Sequence, residues 1–284
     1  MKKVSIIIIN LNGKKFLKNC LKSIIKNTNY ENYNIIVVDN GSTDGSQQLI
    51  KSKFKKVELI ENKKNEGFSK ANNLGINFAI KRYHPDYFYL LNNDTFVNKD
   101  WLNEAIRSME KSEKRGIVGS RQFTFEKKPA ISAGWIKTFK TKYYFGEQEK
   151  EVEWVSGAGF MIKKEVFEKI GLFDEMYSPL YYEESDFEKR AFKNDFKIIY
   201  SPKSIFFHAG GGDSKNEKLI NLNEVFYVNR ARFFSKYLFS GLIIRFFLDL
   251  FRTRKKIKIL RLIELYFNGI KYRKKTIIKN PYLK

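Results

Sequence analysis

The chain has 284 residues, 43% of them hydrophobic, a formal net charge of +23 and one cysteine, Cys20. That length and apolar content allow one large core or two modest ones and exclude a generally disordered protein. A single cysteine excludes an intramolecular disulfide and leaves nothing that calls for an oxidising compartment, so a cytoplasmic address is expected. The positive excess calls for an anionic partner, which could be nucleic acid, anionic lipid or a phosphorylated substrate. It is concentrated late in the chain, where residues 235–284 hold 14 Lys and Arg against 2 Asp and Glu.

In the first half, apolar β-branched runs alternate with helical patterns, the order of βαβ units that build a parallel sheet. Residues 1–12, MKKVSIIIINLN, have the outline of a leader sequence. The apolar run is short and β-branched and lacks a small-residue cleavage site, so residues 4–9 are expected to form a buried first strand. After the turn signal Asn12-Gly13, Phe16, Leu17, Cys20, Leu21, Ile24 and Ile25 recur at helical spacing, and residues 35–38 form the next strand. Ser42 or Asp44 can cap a helix through Leu49, residues 57–60 form a third strand, and Asn65 or Ser69 can start the helix of Ala71, Leu74, Ile76 and Ala79. Residues 87–91 give a fourth strand.

Further on, residues 101–109 read as a helix, 117–119 as a short strand, and 121–150 as polar, aromatic loops or hairpins. Residues 152–162 look strand-like around Gly157 and Gly159, 163–170 and 183–192 helical, and 196–200 and 205–208 strand-like again. Near the C-terminus Phe239, Leu242, Ile243, Phe246, Phe247 and Leu250 follow the rule of an amphipathic helix. The apolar stretch 237–251 is broken by Arg245 and Asp249 and falls short of the roughly 20 residues that span a bilayer. A second apolar stretch, 260–270, and the basic clusters Arg252, Arg254, Lys255, Lys256, Lys258 and Lys271, Arg273, Lys274, Lys275 accompany it. This combination suits a helix lying in an anionic lipid interface, or else a helix packed on the rest of the protein.

Three clusters can carry chemistry. The second strand ends in Asp39-Asn40-Gly41-Ser42-Thr43-Asp44-Gly45, at the carboxyl end of a parallel strand, where open α/β sheets bind ligands. Asp39 can accept hydrogen bonds from a nucleobase imide or a ribose hydroxyl, although the segment alone is also an ordinary turn and cap. The G-x-G-x-x-G pattern of dinucleotide-binding proteins is absent. The fourth strand stops at Asn92-Asn93-Asp94-Thr95, where an oxygen ligand can hold Mg²⁺ or Mn²⁺, or where the run can cap the helix at Trp101. The third cluster, Glu183-Glu184-Ser185-Asp186-Phe187-Glu188, crowds four carboxylates into six residues. Glu183, Asp186 and Arg190 share one helix face, whereas Glu184 starts the helix and can point elsewhere. Like-charge crowding raises carboxylate pKa values, as a general base needs, though a solvated acidic helix start gives the same pattern. His208 ends a strand before the loop Gly210-Gly211-Gly212-Asp213-Ser214.

Together the segments VSIIIINLNG, IIVVDNGSTDGS, NEGFSKANNLGI, LLNNDTFV, WVSGAGFMIKK, GLFDEMYSPLYYEESDFEKR and FFHAGGGDS resemble the family-2 glycosyltransferases of the GT-A fold. The likeness, over residues 4–235, is strongest to the bacterial rhamnosyltransferase-like branch of cell-surface polysaccharide synthesis. It implies an α/β fold with a Rossmann-like mixed sheet. Residues 1–234 would be the catalytic domain, with a nucleotide-binding half (1–98) and an acceptor-binding half (99–234), and 235–284 a basic amphipathic tail on the cytosolic face of the membrane. The resemblance further implies that Asp39 binds the nucleotide base, with Ile9, Asn10 and Gly67 lining its pocket, that Asn92 holds the ribose, and that Asn93 belongs to the nucleotide-sugar-binding set. Asp94 would hold Mn²⁺ or Mg²⁺, with His208 completing the site. Glu184 would be the base, flanked by Glu183 and Asp186, and Trp154 and Gly157 would lie on the acceptor side. Leu11 stands where the family often has an aromatic residue. The implied reaction is an inverting transfer of rhamnose or another hexose from a dTDP- or UDP-sugar to a saccharide or polyprenyl-linked acceptor. A non-catalytic sugar- or nucleotide-binding protein on the same scaffold is the alternative. Nucleic acid is not an expected partner, because the basic residues flank amphipathic helices instead of interleaving with aromatics on a sheet.

Overall fold

The computed structural model describes residues 1–136, 141–210, 222–253, 259–271 and 275–283. Its centre is β1 (Val4–Asn10), paired in parallel with β2 (Tyr33–Asp39) on one side and β4 (Tyr87–Asn92) on the other, with β3 (Val57–Glu61) beyond β2. Both faces of β1 are covered, which is why its sequence is a continuous apolar run instead of an alternating one. Ile6 and Ile8 pack with α1 (Lys14–Asn27), α2 (Ser46–Lys53) and α4 (Trp101–Met109), while Ile7 packs with α3 (Phe68–Tyr83).

The other half of the sheet is mixed. β11 (Gly159–Lys163) lies antiparallel between β4 and β6 (Arg115–Phe123), β12 (Lys197–His208) runs parallel to β6, and β5 (Thr95–Val97) and β9 (Lys150–Val152) pair antiparallel with β12. A separate small sheet joins β7 (Ala133–Ile136), β8 (Thr141–Tyr144) and β10 (Trp154–Val155). The polar, aromatic stretch at 121–150 thus contains a strand pair, and residues 137–140 within it lie outside the described residues.

The single strand expected at 152–162 is divided between β9, β10 and β11. Between β10 and β11 the Ser156 N–H donates to Ser132 O and the Gly159 N–H to Ser156 O, which turns the chain at 156–158. Helices α5 (Lys164–Ile170) and α6 (Glu183–Lys193) pack beside β11 and β10.

The C-terminal helices are α7 (Leu222–Tyr237), α8 (Phe239–Thr253) and α9 (Ile259–Lys271). They share a third core in which Tyr177 meets Phe233, Phe234, Leu242, Leu262 and Tyr266. The apolar pattern of α8 does not form one face. Leu242 is buried and Phe246 and Leu250 pack inward, while Ile243, Phe247 and Phe251 are exposed. Its charges turn inward, because Asp249 accepts hydrogen bonds from Arg230 (2.8 Å) and Tyr266. No helix among the described residues is long and apolar enough to cross a membrane. Arg254, Lys255, Lys256, Lys258, Arg273 and Lys274 lie outside the described residues. After α9 the chain returns to the main core, where the Leu172 N–H donates to Lys279 O and the Ile277 N–H to Asp174 Oδ1.

The helices are tied down by Asn229 of α7, whose Nδ2 donates to the carbonyls of Tyr177 and Leu180 at 2.9 Å and of Tyr181 at 3.2 Å. Asn229→Leu deprives these carbonyls of their donor and is expected to lower the unfolding free energy by about 2 kcal/mol in urea titration. An unchanged midpoint would mean that α7 does not anchor this loop.

Candidate active site

β1, β2 and β4 end together, with Asn10 opposite Asp39 and Ile9 opposite Asn92. The carboxyl edge therefore gathers the residues picked out in three distant segments. Asp39 is fully buried and accepts hydrogen bonds from Asn10 Nδ2 (2.9 Å), the Ser42 N–H (2.9 Å) and Gln47 Nε2 (2.8 Å). The carboxylate is held by neutral donors alone in these contacts. Asn10 also donates to Ser42 Oγ (3.1 Å) and accepts from Asn93 Nδ2 (2.9 Å), so one amide links the Asp39 turn to the Asn92–Asp94 run. Gly67 opens α3 with φ +81°, where a side chain would be strained and a Cβ would stand 2.5 Å from Ser178 Oγ.

Asp94 and His208 meet across the edge pair β5–β12, with Asp94 Oδ1 2.9 Å from His208 Nε2 and both side chains largely buried. Asn92 Nδ2 lies 3.3 Å from the same ring nitrogen. The other nitrogen, Nδ1, is 2.9 Å from Gln122 Nε2, and Gln122 Oε1 accepts from Ser156 Oγ at 3.0 Å. Gln122 suits either tautomer, since turning its amide over exchanges donor for acceptor toward both neighbours. One carboxylate and one imidazole nitrogen converging on one point fit a divalent cation of the Mn²⁺ or Mg²⁺ kind that takes its remaining ligands from substrate oxygens and water. No group of three or more His, Cys, Asp or Glu side chains stands together among the described residues. The loop Gly211–Ser214 lies outside the described residues.

The turn at 156–158 connects this pair to α6. Ser156 holds Gln122, Ala158 O accepts from the Asn92 N–H (3.0 Å), and Gly157 lies against Glu184, where a Cβ would come within 3.3 Å of Cγ. The carboxylates of α6 occupy different surroundings. Asp186 is fully buried and accepts from Arg190 Nε (2.9 Å), Lys236 Nζ (2.7 Å) and Tyr237 Oη (2.8 Å). Burial pushes its carboxyl up, but the two cations outweigh that and hold it below the usual range. Asp186 is thus occupied as a tie between α6 and α7. Glu183 is buried, and desolvation reinforced by the Glu184 charge pushes its carboxyl well up. Glu184 is only partly buried and lines a cavity of about 750 Å³ with Trp154, Tyr143 and Tyr182. Desolvation raises its carboxyl too, opposed by the backbone N–H groups at the helix start and by Glu183.

The model of glycosyl transferase family 2 matches residues 5–171, more than half of the chain. The chain belongs to that family. Among its curated relatives is the low-salt glycan biosynthesis hexosyltransferase Agl10 of Haloferax volcanii, 27% identical over 206 residues, covering 69% of this chain and 63% of the relative. Another is the N-acetylglucosaminyl-diphospho-decaprenol L-rhamnosyltransferase of Mycobacterium tuberculosis, 23% identical over 202 residues, covering 61% and 66%. The chain spans less than two thirds of the length of the first curated relatives it matches. The structure of S. aureus TarS 1-349 with UDP-GlcNAc superposes with a TM-score of 0.68 at 18% identity, covering 94% of this chain and 79% of TarS. A mannosyltransferase from Pyrobaculum calidifontis with GDP-Man and Mn²⁺ gives 0.57 at 15%, covering 96% and 70%. These likenesses establish the GT-A fold, a mixed α/β sheet.

Pattern alone gives no role to three residues near the candidate site. Gln122 sits behind His208 in a stretch without periodicity. Arg230 lies on a helix whose sequence is nearly as apolar on one side as on the other. Glu188, one of the four crowded carboxylates, has no role in the sequence pattern; it is fully buried, and Oε1 accepts from the Val155 N–H at 2.9 Å while Oε2 has no partner. Its i, i+4 spacing from Glu184 was the available signal. Burial pushes the Glu188 carboxyl well above the carboxylate range, so the folded state binds a proton that the unfolded chain releases near pH 4–5. Stability is then greatest below that range and falls as pH rises toward the folded pKa. Glu188→Gln keeps the acceptor for Val155 and should flatten the fall between pH 5 and pH 8, by up to about 1.4 kcal/mol per pH unit. Urea midpoints at the two pH values test this, and an unaltered slope would place the proton elsewhere.

Proposed function

We propose that the chain is an inverting, metal-dependent glycosyltransferase that moves a sugar, rhamnose or another hexose, from a nucleoside-diphosphate donor such as a dTDP- or UDP-sugar. The acceptor is a saccharide or polyprenyl-linked saccharide of cell-surface polysaccharide synthesis. The observation that carries this reading is the turn at 156–158, which has the Asp94–His208 pair on one side and Glu184 on the other. A metal pole and a carboxylate pole at one turn fit a displacement in which one end stabilises the leaving diphosphate and the other removes a proton from the attacking hydroxyl.

In this reading residues 1–98 form the donor half and 99–234 the acceptor half. Asp39 takes the base, Ile9, Asn10 and Gly67 line its pocket, Asn92 holds the ribose, and Asn93 belongs to the same nucleotide-sugar-binding set. Asp94 and His208 would hold a divalent cation, which would supply charge neutralisation for the diphosphate. Glu184 takes the acceptor's hydroxyl proton onto its carboxylate as the oxygen attacks the anomeric carbon from the face opposite the diphosphate, and configuration inverts. The Glu183 carboxyl is pushed well up by desolvation and by the Glu184 charge. Gly157 leaves room for the base, and Trp154 offers an indole face to the acceptor sugar. Because the Glu184 carboxyl is raised, the acid limb of kcat/KM should lie above the ordinary glutamate range. Glu184→Gln should lower transfer by about a thousandfold while donor binding, followed by thermal shift with Mn²⁺, persists; Asp94→Ala should lose both transfer and the Mn²⁺-dependent shift. Wild-type-like transfer by either variant would remove that residue from the mechanism.

The exposed apolar residues of α8 and α9 support the peripheral membrane part of the proposal. Phe247 (61% exposed), Phe251 (73%), Leu260 (80%) and Phe267 (66%) are large apolar side chains on helices next to basic segments, which suits an anionic lipid interface. Phe247→Glu with Phe267→Glu should abolish co-sedimentation with phosphatidylglycerol vesicles, and retention of both variants' vesicle binding would refute this role.

A further inference from the structure

Between α5 and α6 the chain runs from Leu172 to Tyr182 with one turn of 3-10 helix, Glu175–Tyr177, as its regular structure. A segment with so few backbone bonds of its own takes its shape from what it touches. One neighbour is the stretch that follows α9. The N–H groups of Leu172 and Glu175 donate to Lys279 O (2.8 Å) and Ile277 O (3.2 Å), the Ile277 N–H donates to Asp174 Oδ1 (2.9 Å), and Asn280 Nδ2 donates to Glu168 O (2.8 Å). Gly171 permits this approach. At φ +73° a side chain would be strained, and a Cβ would stand 2.8 Å from Ile278 Cγ2 and 2.9 Å from Lys279 O. Tyr282 then anchors the segment against the core shared by α3 and β11.

The other side of the loop is joined to α3 and to the carboxyl edge of the sheet. Asn73 of α3 holds Phe173 by both backbone groups, accepting from its N–H and donating to its carbonyl at 3.0 Å each. Further on, the Phe68 N–H donates to Pro179 O (2.8 Å), and the Gly67 backbone lies so close that a Cβ would meet Ser178 Oγ at 2.5 Å and Pro179 Cα at 3.1 Å. The Gly67 N–H donates to Asn65 Oδ1 (2.9 Å), which also accepts from Asn40 Nδ2 (2.8 Å). Asn40 follows Asp39 and donates its own N–H to Asn10 O (2.7 Å). A continuous series of hydrogen bonds and backbone contacts therefore leads from Ile277 through Asp174 and Pro179 to Gly67 and the Asp39 turn.

We infer that residues 277–280 form a strap that positions the nucleotide pocket: by holding the loop 172–179 they hold Gly67 and the start of α3 in the shape that a nucleoside diphosphate meets. Ile277, Asn280 and Asp174 are positioning residues, acting through the loop. The inference rests on the reading in which Gly67 lines the nucleotide's pocket, but the strap's hold on Gly67 is measurable without any ligand. A segment that only closed the core with Tyr282 would, once cut from the loop, lower global stability and leave both the Phe68 amide and nucleotide affinity unchanged. The Ile277 side chain is 45% exposed, so Ile277→Pro removes the donated N–H with little loss of packing.

The test is amide hydrogen exchange of the full chain without ligand, with equilibrium binding of UDP and dTDP in Mn²⁺ measured alongside. Ile277→Pro should speed exchange at Phe68 by about tenfold while the β1 amides keep their protection, and should weaken the tighter-binding of the two nucleotides by about tenfold. Asn280→Ala, which leaves the backbone untouched, should move both readouts the same way and serves in place of Ile277→Pro if that variant fails to fold. Asp174→Ala should follow them, whereas Asp174→Asn, which keeps an oxygen toward the Ile277 and Met176 N–H groups, should stay near the wild type. Wild-type exchange at Phe68 in both strap variants, or unchanged nucleotide affinity beside faster exchange, would overturn the inference. A chain whose Phe68 amide responds as expected but which binds neither nucleotide refutes the donor reading and leaves the strap's hold on Gly67 supported.

Discussion

The amide of Asn10 is the point on which the carboxyl edge of the parallel strands depends. Three parallel strands stop at one level because their registers align Asn10 with Asp39 and Ile9 with Asn92. Side chains alternate along a strand, so a slip of one residue would turn Asp39 to the other face and bury an unsuited group. The registers alone place the polar residues near one another. Asn10 makes them one unit, donating to Asp39 and Ser42 and accepting from Asn93. A purely donating or purely accepting side chain could not hold both a carboxylate and a neighbouring amide N–H, which is the reason an amide suits this position.

The acidic helix α6 shows how one short segment gives neighbouring carboxylates different properties. Asp186 faces Arg190, Lys236 and Tyr237 and stays ionised. Glu183 and Glu188 face the interior and are pushed toward the protonated form. Glu184 has the cavity in front of it and helix-start N–H groups behind it, so it is raised against a real opposing force. The base role proposed for Glu184 calls for that intermediate balance, since full pairing leaves a carboxylate too weak a base and full burial keeps it protonated. Asp186, two positions on, has its carboxylate taken up by Arg190, Lys236 and Tyr237 instead.

Much of this was legible in the sequence because it depends on local periodicity. The continuous apolar runs at β1, β2 and β4, each ended by a polar residue, mark a parallel sheet and its binding edge together, and Asp39, Asn92 and Asp94 stand where those runs stop. The acidic helix could be read as a helix, but not which carboxylate faced the cavity, because that is decided by partners 50 residues away on α7, Lys236 and Tyr237. Residues 152–162 defeated pattern reading for a related reason. The break comes from backbone hydrogen bonds to Ser132 and within the turn, and an apolar run containing glycines carries no sign of them. Gln122 was hidden altogether, since its significance comes only from lying between Ser156 and His208.

The two charges that interrupt the apolar stretch of α8 look in sequence like places where the helix meets water. In the structure Arg245 and Asp249 face inward, and the helix surface facing out is apolar. This inversion follows from what α8 packs against. Asp249 satisfies Arg230 of α7 and Tyr266 of α9, so its charge is compensated in the interior, where a lone carboxylate would be costly. With the charges committed inside, Ile243, Phe247 and Phe251 have no core left to enter and remain on the surface. The helix is therefore bound on one side to the wall of the cavity at Glu184 and on the other offers an apolar surface, and any movement of α8 at an interface would be felt by Arg245 in that wall.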